Sequence, residues 1–208
     1  MTQYEVVGIG NAVVDVISHA DDNFLADNGI EKGIMQLIER DRAEDLYAAM
    51  QDRVQTPGGS VANTVAGAGA LGLKTAFIGR VRDDELGQFY AKAMTDIGID
   101  FVNAPVAEGE NPTSRCMIFV TPDGERSLNT YLGISTGLTS ADVPQAVTEK
   151  AKLMFLEGYL FDHEAGKTAF REAARAATAG GGMAGIAISD PFCVERHRDD
   201  FLALIEND

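Results

Sequence analysis

Asp15 stands five residues beyond Gly10, at the end of the stretch GIGNAVVD. A carboxylate held beside an apolar strand can accept two hydrogen bonds at fixed positions, which suits the vicinal hydroxyls of a pentose. Farther along, the run GGSVAN brings Gly58, Gly59, Ser60 and Asn63 together. Paired glycines let the backbone close on a ligand without interference from Cβ. Ser60 can cap the helix that Val61, Val65, Ala68 and Leu71 would bury. Asn63, on the first turn of that helix, carries both donors and an acceptor in its amide. Taken singly, these residues also have ordinary readings: Asp15 fits a strand-end residue facing water, Asn11 fits a turn asparagine, and Pro57-Gly58-Gly59 fits plain helix punctuation. Together they describe a site for a small hydroxylated molecule.

The elements that must position them follow from the hydrophobic pattern. Tyr4 to Ile9 is a short apolar run ending at Gly10, which predicts a buried strand of a parallel sheet, and Val13 to Ile17 continues extended. Further apolar runs at Phe77 to Ile78, Leu153 to Leu156 and Ile186 to Ile188 alternate with helical patterns at 61–72, 85–97, 164–179 and 195–206. Alternation of this kind implies an α/β fold with a parallel sheet covered by helices on both faces. The segment from Phe101 to Tyr131 departs from it. Met117 to Thr121 and Ser127 to Tyr131 flank Pro122-Asp123-Gly124, a turn signal that makes a β-hairpin. Gly180-Gly181-Gly182 is a helix stop before the next strand.

Composition bounds the class of function. The chain has 208 residues, 45% of them hydrophobic, enough for a sizeable core in one or two domains. A net charge of −15 argues against a nucleic-acid partner, which requires basic patches. No run has the length of a transmembrane helix, and MTQYEVV lacks the layout of a secretory signal, so a cytoplasmic protein without a membrane partner is expected. Cys116 and Cys193 lack metal-ligand spacing and are expected to be reduced.

The order GGSVANTVAGAGALG, FIGRVRDDELG, NPTSRCMIFVTPDGERSL, EGYLFD and ISDPF, after YEVVGIGNAVVDVI, resembles the ribokinase-like (PfkB) family of carbohydrate and nucleoside kinases across nearly the whole chain. The pattern is most similar to its adenosine kinase branch in GIGNAVVD, PTSRC and the RSL of the hairpin. The resemblance implies a three-layer α/β/α core with a small β lid, built from segments near 12–18, 33–38 and 101–133. It also implies ATP and Mg²⁺ as cofactors, and a small-molecule nucleoside or sugar as substrate, adenosine first and free ribose or fructose as the alternative. Asp15 and Asn11 then fall where the family binds sugar hydroxyls, with Gly58, Gly59, Ser60 and Asn63 beside them. Arg126 falls where a lid arginine approaches phosphate. Leu37, Leu128 and Leu160 fall where adenosine kinases surround the base. Leu160 departs from the aromatic ring often found there, and Tyr159 is adjacent to compensate.

Several lookalikes carry less. Gly8-Ile-Gly10 lacks the third glycine of a dinucleotide fingerprint, and Ala165-Gly166-Lys167-Thr168 lacks the first glycine of a P-loop because Phe161 stands there. Gly67-Ala68-Gly69 lies inside a helical pattern, and His19, His163 and His197 are scattered without metal spacing. The family's N-x-x-E and D-T-x-G-A-G-D motifs, which carry its general base, anion hole and metal ligands, do not occur in matching places. Asn28-Gly29-Ile30-Glu31 fits the first by letters only. Catalytic residues are therefore expected beyond Asp208, no metal ligands are assigned, and residues 1–208 are expected to form the N-terminal part of a truncated kinase domain, inactive alone. A non-catalytic nucleoside- or sugar-binding module stays open, as does the choice between monomer and homodimer.

Overall fold

The computed structural model describes residues 3–207. In chain order it contains β1 (Tyr4–Ile9), β2 (Val13–His19), α1 (Asp22–Asp27), β3 (Met35–Leu37), α2 (Arg40–Ala49), β4 (Val54–Gly58), α3 (Ser60–Ala70), β5 (Thr75–Ile78), α4 (Glu85–Asp96) and β6 (Asp100–Phe101). These are followed by β7 (Ser114–Val120), β8 (Arg126–Tyr131), α5 (Gln145–Thr148), β9 (Ala151–Glu157), α6 (Glu164–Ala179), β10 (Met183–Ala187) and α7 (Pro191–Asn207).

Alternation along β1 sends Val7 and Ile9 to one side of a sheet and Val6 to the other, so the strand must be covered twice. It runs in the middle of a five-stranded parallel sheet of order β10-β9-β1-β5-β6. On one face Val7, Ile9, Ala76, Ile78, Met154 and Leu156 pack against Ala169, Phe170, Ala173 and Ala177 of α6. On the other face Phe77 and Phe155 meet Val61 and Val65 of α3 and Tyr90 and Met94 of α4. This is a three-layer α/β/α core, as the resemblance in sequence implies.

A second sheet, of order β3-β8-β7-β2-β4, stands beside the first and mixes parallel and antiparallel pairs. Parity sorts its residues. Val14, Val16, Met117 and Phe119 turn toward Leu25 of α1 and Ala43 and Leu46 of α2 and join the core. Val13, Cys116 and Ile118 form the opposite apolar face. Residues 12–18 and 33–38 and the hairpin β7–β8 belong to this sheet, but β6, at the start of segment 101–133, adds instead to the edge of the parallel sheet. The second sheet also recruits β4, where Pro57 is tolerated because β4 is an edge strand that, among the described residues, pairs with β2 alone.

Candidate functional site

β1 and β2 are joined by Gly10, Asn11 and Ala12, so the chain leaves the C-terminal end of the central strand and enters the second sheet at once. Ligand clefts of open α/β sheets form at such strand ends. Here a cleft of about 370 Å³ lies between the two sheets. It is lined by Asn11, Val13 and Asp15 from the β1–β2 passage, Gly59, Ser60 and Asn63 from the start of α3, and Leu37, Cys116, Leu128 and Thr130 from the second sheet. Glu157, Tyr159 and Asp162 add to it from the end of β9 and the turn after it, Asp190 from the passage between β10 and α7, and Phe192 and Arg196 from α7.

Asp15 shares its sheet face with Val13 because it is two residues on, while the intervening Val14 is fully buried on the other face. Burial pushes the Asp15 carboxyl up to about 6, and the positive charge of Arg126 offsets part of that rise. Gly58 is required next to it, since a Cβ there would lie 2.4 Å from the Asp15 carboxylate. Gly59 has φ +107, and a Cβ there would lie 2.4 Å from the Asn11 carbonyl oxygen. The fully buried Tyr90 fixes this turn by donating from its hydroxyl to the Gly58 carbonyl at 3.1 Å.

Glu157 was not among the residues singled out by sequence, and it binds the site together. It is 2% exposed at the end of β9. Its Oε2 accepts the Asn11 backbone N–H and its Oε1 accepts the Ser60 hydroxyl at 2.7 Å. Burial raises its carboxyl to about 7, against the opposing pull of hydrogen bonds from Ser60 and Asn11. Gly10 is kept small by the same group, because a Cβ there would lie 2.0 Å from Glu157 Oε2. The sequence signal is a lone acid between an apolar run and a glycine, in FLEGY.

Of the residues expected from sequence, Asn11, Asp15, Gly59, Ser60, Asn63, Leu37, Leu128 and Tyr159 line this one cleft. Gly58 supports it from behind Asp15. Ser60 differs in role: Gly59 is the N-cap of α3, and the Ser60 hydroxyl is spent on Glu157 rather than on capping the helix. Leu160 differs in place. The 3₁₀ turn Gly158–Asp162 resets the alternation after β9, so Leu160 is buried in the core with Phe161 and Ala169, and Tyr159 faces the cleft. Arg126 is exposed at the start of β8 and acts on Asp15 by charge without lining the cleft. Lys167, from the P-loop lookalike, pairs with Glu164 and Asp200. His197 is largely buried, with Nε2 2.6 Å from Asp162 Oδ1, where the backbone of α7 leaves helical geometry.

Among the described residues there is no cluster of three or more His, Cys, Asp or Glu side chains able to hold a metal ion. The N-terminus of α3, which could otherwise receive an anion, already has the Glu157 carboxylate on it. The described residues thus fit a neutral, hydroxylated and partly apolar ligand. They do not by themselves fit Mg²⁺ or the phosphates of ATP.

The model of the pfkB family carbohydrate kinases matches residues 31–207. Among solved structures, the adenosine kinase of Sinorhizobium meliloti superposes with a TM-score of 0.89 and 48% identity, covering 98% of this chain and 62% of that one. A 5-dehydro-2-deoxygluconokinase of Halalkalibacterium halodurans is 30% identical over 122 residues, 58% of this chain and 37% of the relative. A guanosine-inosine kinase of Escherichia coli K12 is 26% identical over 161 residues, 74% of this chain and 37% of the relative. The chain therefore spans between about a third and two thirds of the length of these proteins.

Proposed function

The chain belongs to the pfkB family of carbohydrate kinases, and from that premise we propose that it supplies the acceptor-binding part of an ATP-dependent kinase that phosphorylates the primary hydroxyl of a ribosyl substrate, with adenosine as the first candidate. One observation carries the reading. Asn11, Asp15, Gly59 and Asn63 converge on one cleft with an apolar wall of Val13, Leu37 and Leu128. The polar group suits vicinal hydroxyls, and the apolar wall suits a flat base that a free sugar would leave uncovered.

In this reading Asp15, from the second sheet, and Asn63, from the first turn of α3, orient the ribose together. The second sheet lies over the ribose and keeps water from the reacting hydroxyl. The acceptor hydroxyl then lies at the strand ends, near Glu157 and the start of α3. The groups that handle phosphate and metal are assigned to none of the described residues.

A free-sugar acceptor is the second reading. It is favoured by the retreat of Leu160 from the apolar wall into the core. The test is mass-detected phosphorylation with MgATP and adenosine, inosine, ribose and fructose, alongside calorimetric binding of the same acceptors. Adenosine binding that is lost in Asp15→Asn supports the proposal. Binding of ribose or fructose alone moves the assignment to a sugar kinase. Binding without turnover leaves an acceptor-binding module, and absence of both binding and turnover overturns it.

A further inference from the structure

Two consecutive residues on the passage from β10 to α7 hold Tyr159 at both of its ends. Ser189 Oγ accepts the Tyr159 backbone N–H at 3.1 Å, and Asp190 Oδ2 accepts the Tyr159 hydroxyl at 2.8 Å. Asp190 is fixed in turn, since its Oδ1 accepts the Cys193 backbone N–H at 2.7 Å in the first turn of α7. Ser189 has φ +71, a left-handed conformation that is costly for a residue other than glycine and persists only where its surroundings impose it. Gly158 makes the approach possible, because a Cβ there would lie 2.6 Å from the Ala187 carbonyl oxygen and 3.0 Å from Ser189 Oγ. The strained residue, the cap and the phenol form one connected unit.

That unit stands on the β9–β10 side of the cleft, where Tyr159, Asp190 and the exposed Phe192 all contribute to the lining. We infer that Asp190 is a positioning residue: by holding the Tyr159 hydroxyl it fixes the ring as a wall of the cleft, so that acceptors bearing a flat aromatic base are favoured over free sugars. The inference rests on the acceptor-binding reading above and adds its selectivity. A ring already fixed has no rotamer freedom to lose when a base stacks on it, whereas a free ring does. A base presents a π face to that ring, and a free sugar presents none. Burial and the hydrogen bond to Asp190 also raise the phenol well above its ordinary range, which keeps the shared proton on Tyr159.

The test is calorimetric titration of the full chain with adenosine and with ribose, with thermal melts run in parallel. Tyr159→Phe removes one oxygen and leaves the cap of α7 intact, so it carries the test even if Asp190→Ala fails to fold. Both variants are expected to lower the ratio of adenosine to ribose affinity by roughly three- to tenfold. Asp190→Asn can still accept from Cys193 and meet the phenol with its amide, so it should keep the ratio within about twofold of the unmodified chain. An unchanged ratio in Tyr159→Phe overturns the inference. If the unmodified chain binds neither ligand, the acceptor-binding reading itself falls and takes the inference with it, which is a different result from a changed or unchanged ratio.

Discussion

Asp15 is a carboxyl on the lining of a cleft, and its protonation decides what it can hold. Raised to about 6, it is charged at neutral pH and accepts from two hydroxyls, whereas its neutral form accepts less and must donate. A ligand bound by the charged form loses affinity as pH falls through that value, approaching about tenfold per unit on the acid side. The positive charge of Arg126 favours the ionised Asp15 and so limits that loss. Asp15→Asn is expected to weaken acceptor binding by roughly 10- to 100-fold and to flatten the acid limb, as measured by titration calorimetry from about pH 5 to pH 8. A variant that binds as tightly as the parent would remove Asp15 from the site. Asp15 and Asn63 were legible in the sequence through the motifs around them, GIGNAVVD and GGSVAN, whose resemblance to the family outweighs the ordinary reading of each residue alone. Glu157 was hidden because a single acid at the end of an apolar run has the same appearance as a strand residue emerging into water. What distinguishes it is burial by Asn11 and Ser60, from segments 146 and 97 residues away.

At the level of elements, Glu157 joins the end of β9 to the β1–β2 passage and to the first turn of α3. This junction makes stability depend on pH in a definite direction. The folded carboxyl is raised from 4.5 to about 7, so the native state binds more protons than the unfolded chain between those values. Its contribution is therefore fully present below about pH 4.5 and is lost as pH rises through about 7, an effect of about 3 kcal/mol at most. Glu157→Gln removes the titration. The melting temperature of the parent should fall relative to the variant between about pH 5 and pH 8, and parallel profiles would count against the buried charge. Most of the larger elements were readable: β1, α3, α4 and α6 follow from apolar spacing, and the β7–β8 hairpin from two strand-like runs flanking Pro122-Asp123-Gly124. β4 was not, because Pro57 and the two glycines after it have the composition of a turn. Only pairing with β2 makes VQTPG a strand. Leu160 and Tyr159 exchanged faces for a related reason, since a 3₁₀ turn has a period that neither strand nor α-helix counting anticipates.

Across the whole molecule, the parallel sheet ends at β10, which among the described residues pairs only with β9. Beside it a groove of about 550 Å³ is lined by Phe170, Ala174, Ile186, Leu204 and Ile205. Met183 on β10 and Ile205 on α7 are each about two-thirds exposed. An unpaired edge flanked by apolar surface is a template for association, and a net charge of −15 opposes it only through long-range repulsion that salt screens. The 208-residue chain should therefore self-associate more strongly at higher salt in sedimentation velocity, and Met183→Lys with Ile205→Lys should restore the monomer. A monodisperse parent at all salt concentrations would show that the edge is already protected.

The three-residue passage between β1 and β2 has a mechanical meaning as well. Asp15 travels with the second sheet, whereas Asn63 and Glu157 travel with the first layer, and the covalent links between the layers at this point are as short as Gly10 to Ala12. A ligand gripped by Asp15 and Asn63 together would add a removable crosslink to the apolar packing and the Tyr90–Gly58 hydrogen bond that already join the two layers. Its arrival should be recorded in amide hydrogen exchange along β2 and β4, including strand positions that the ligand never touches.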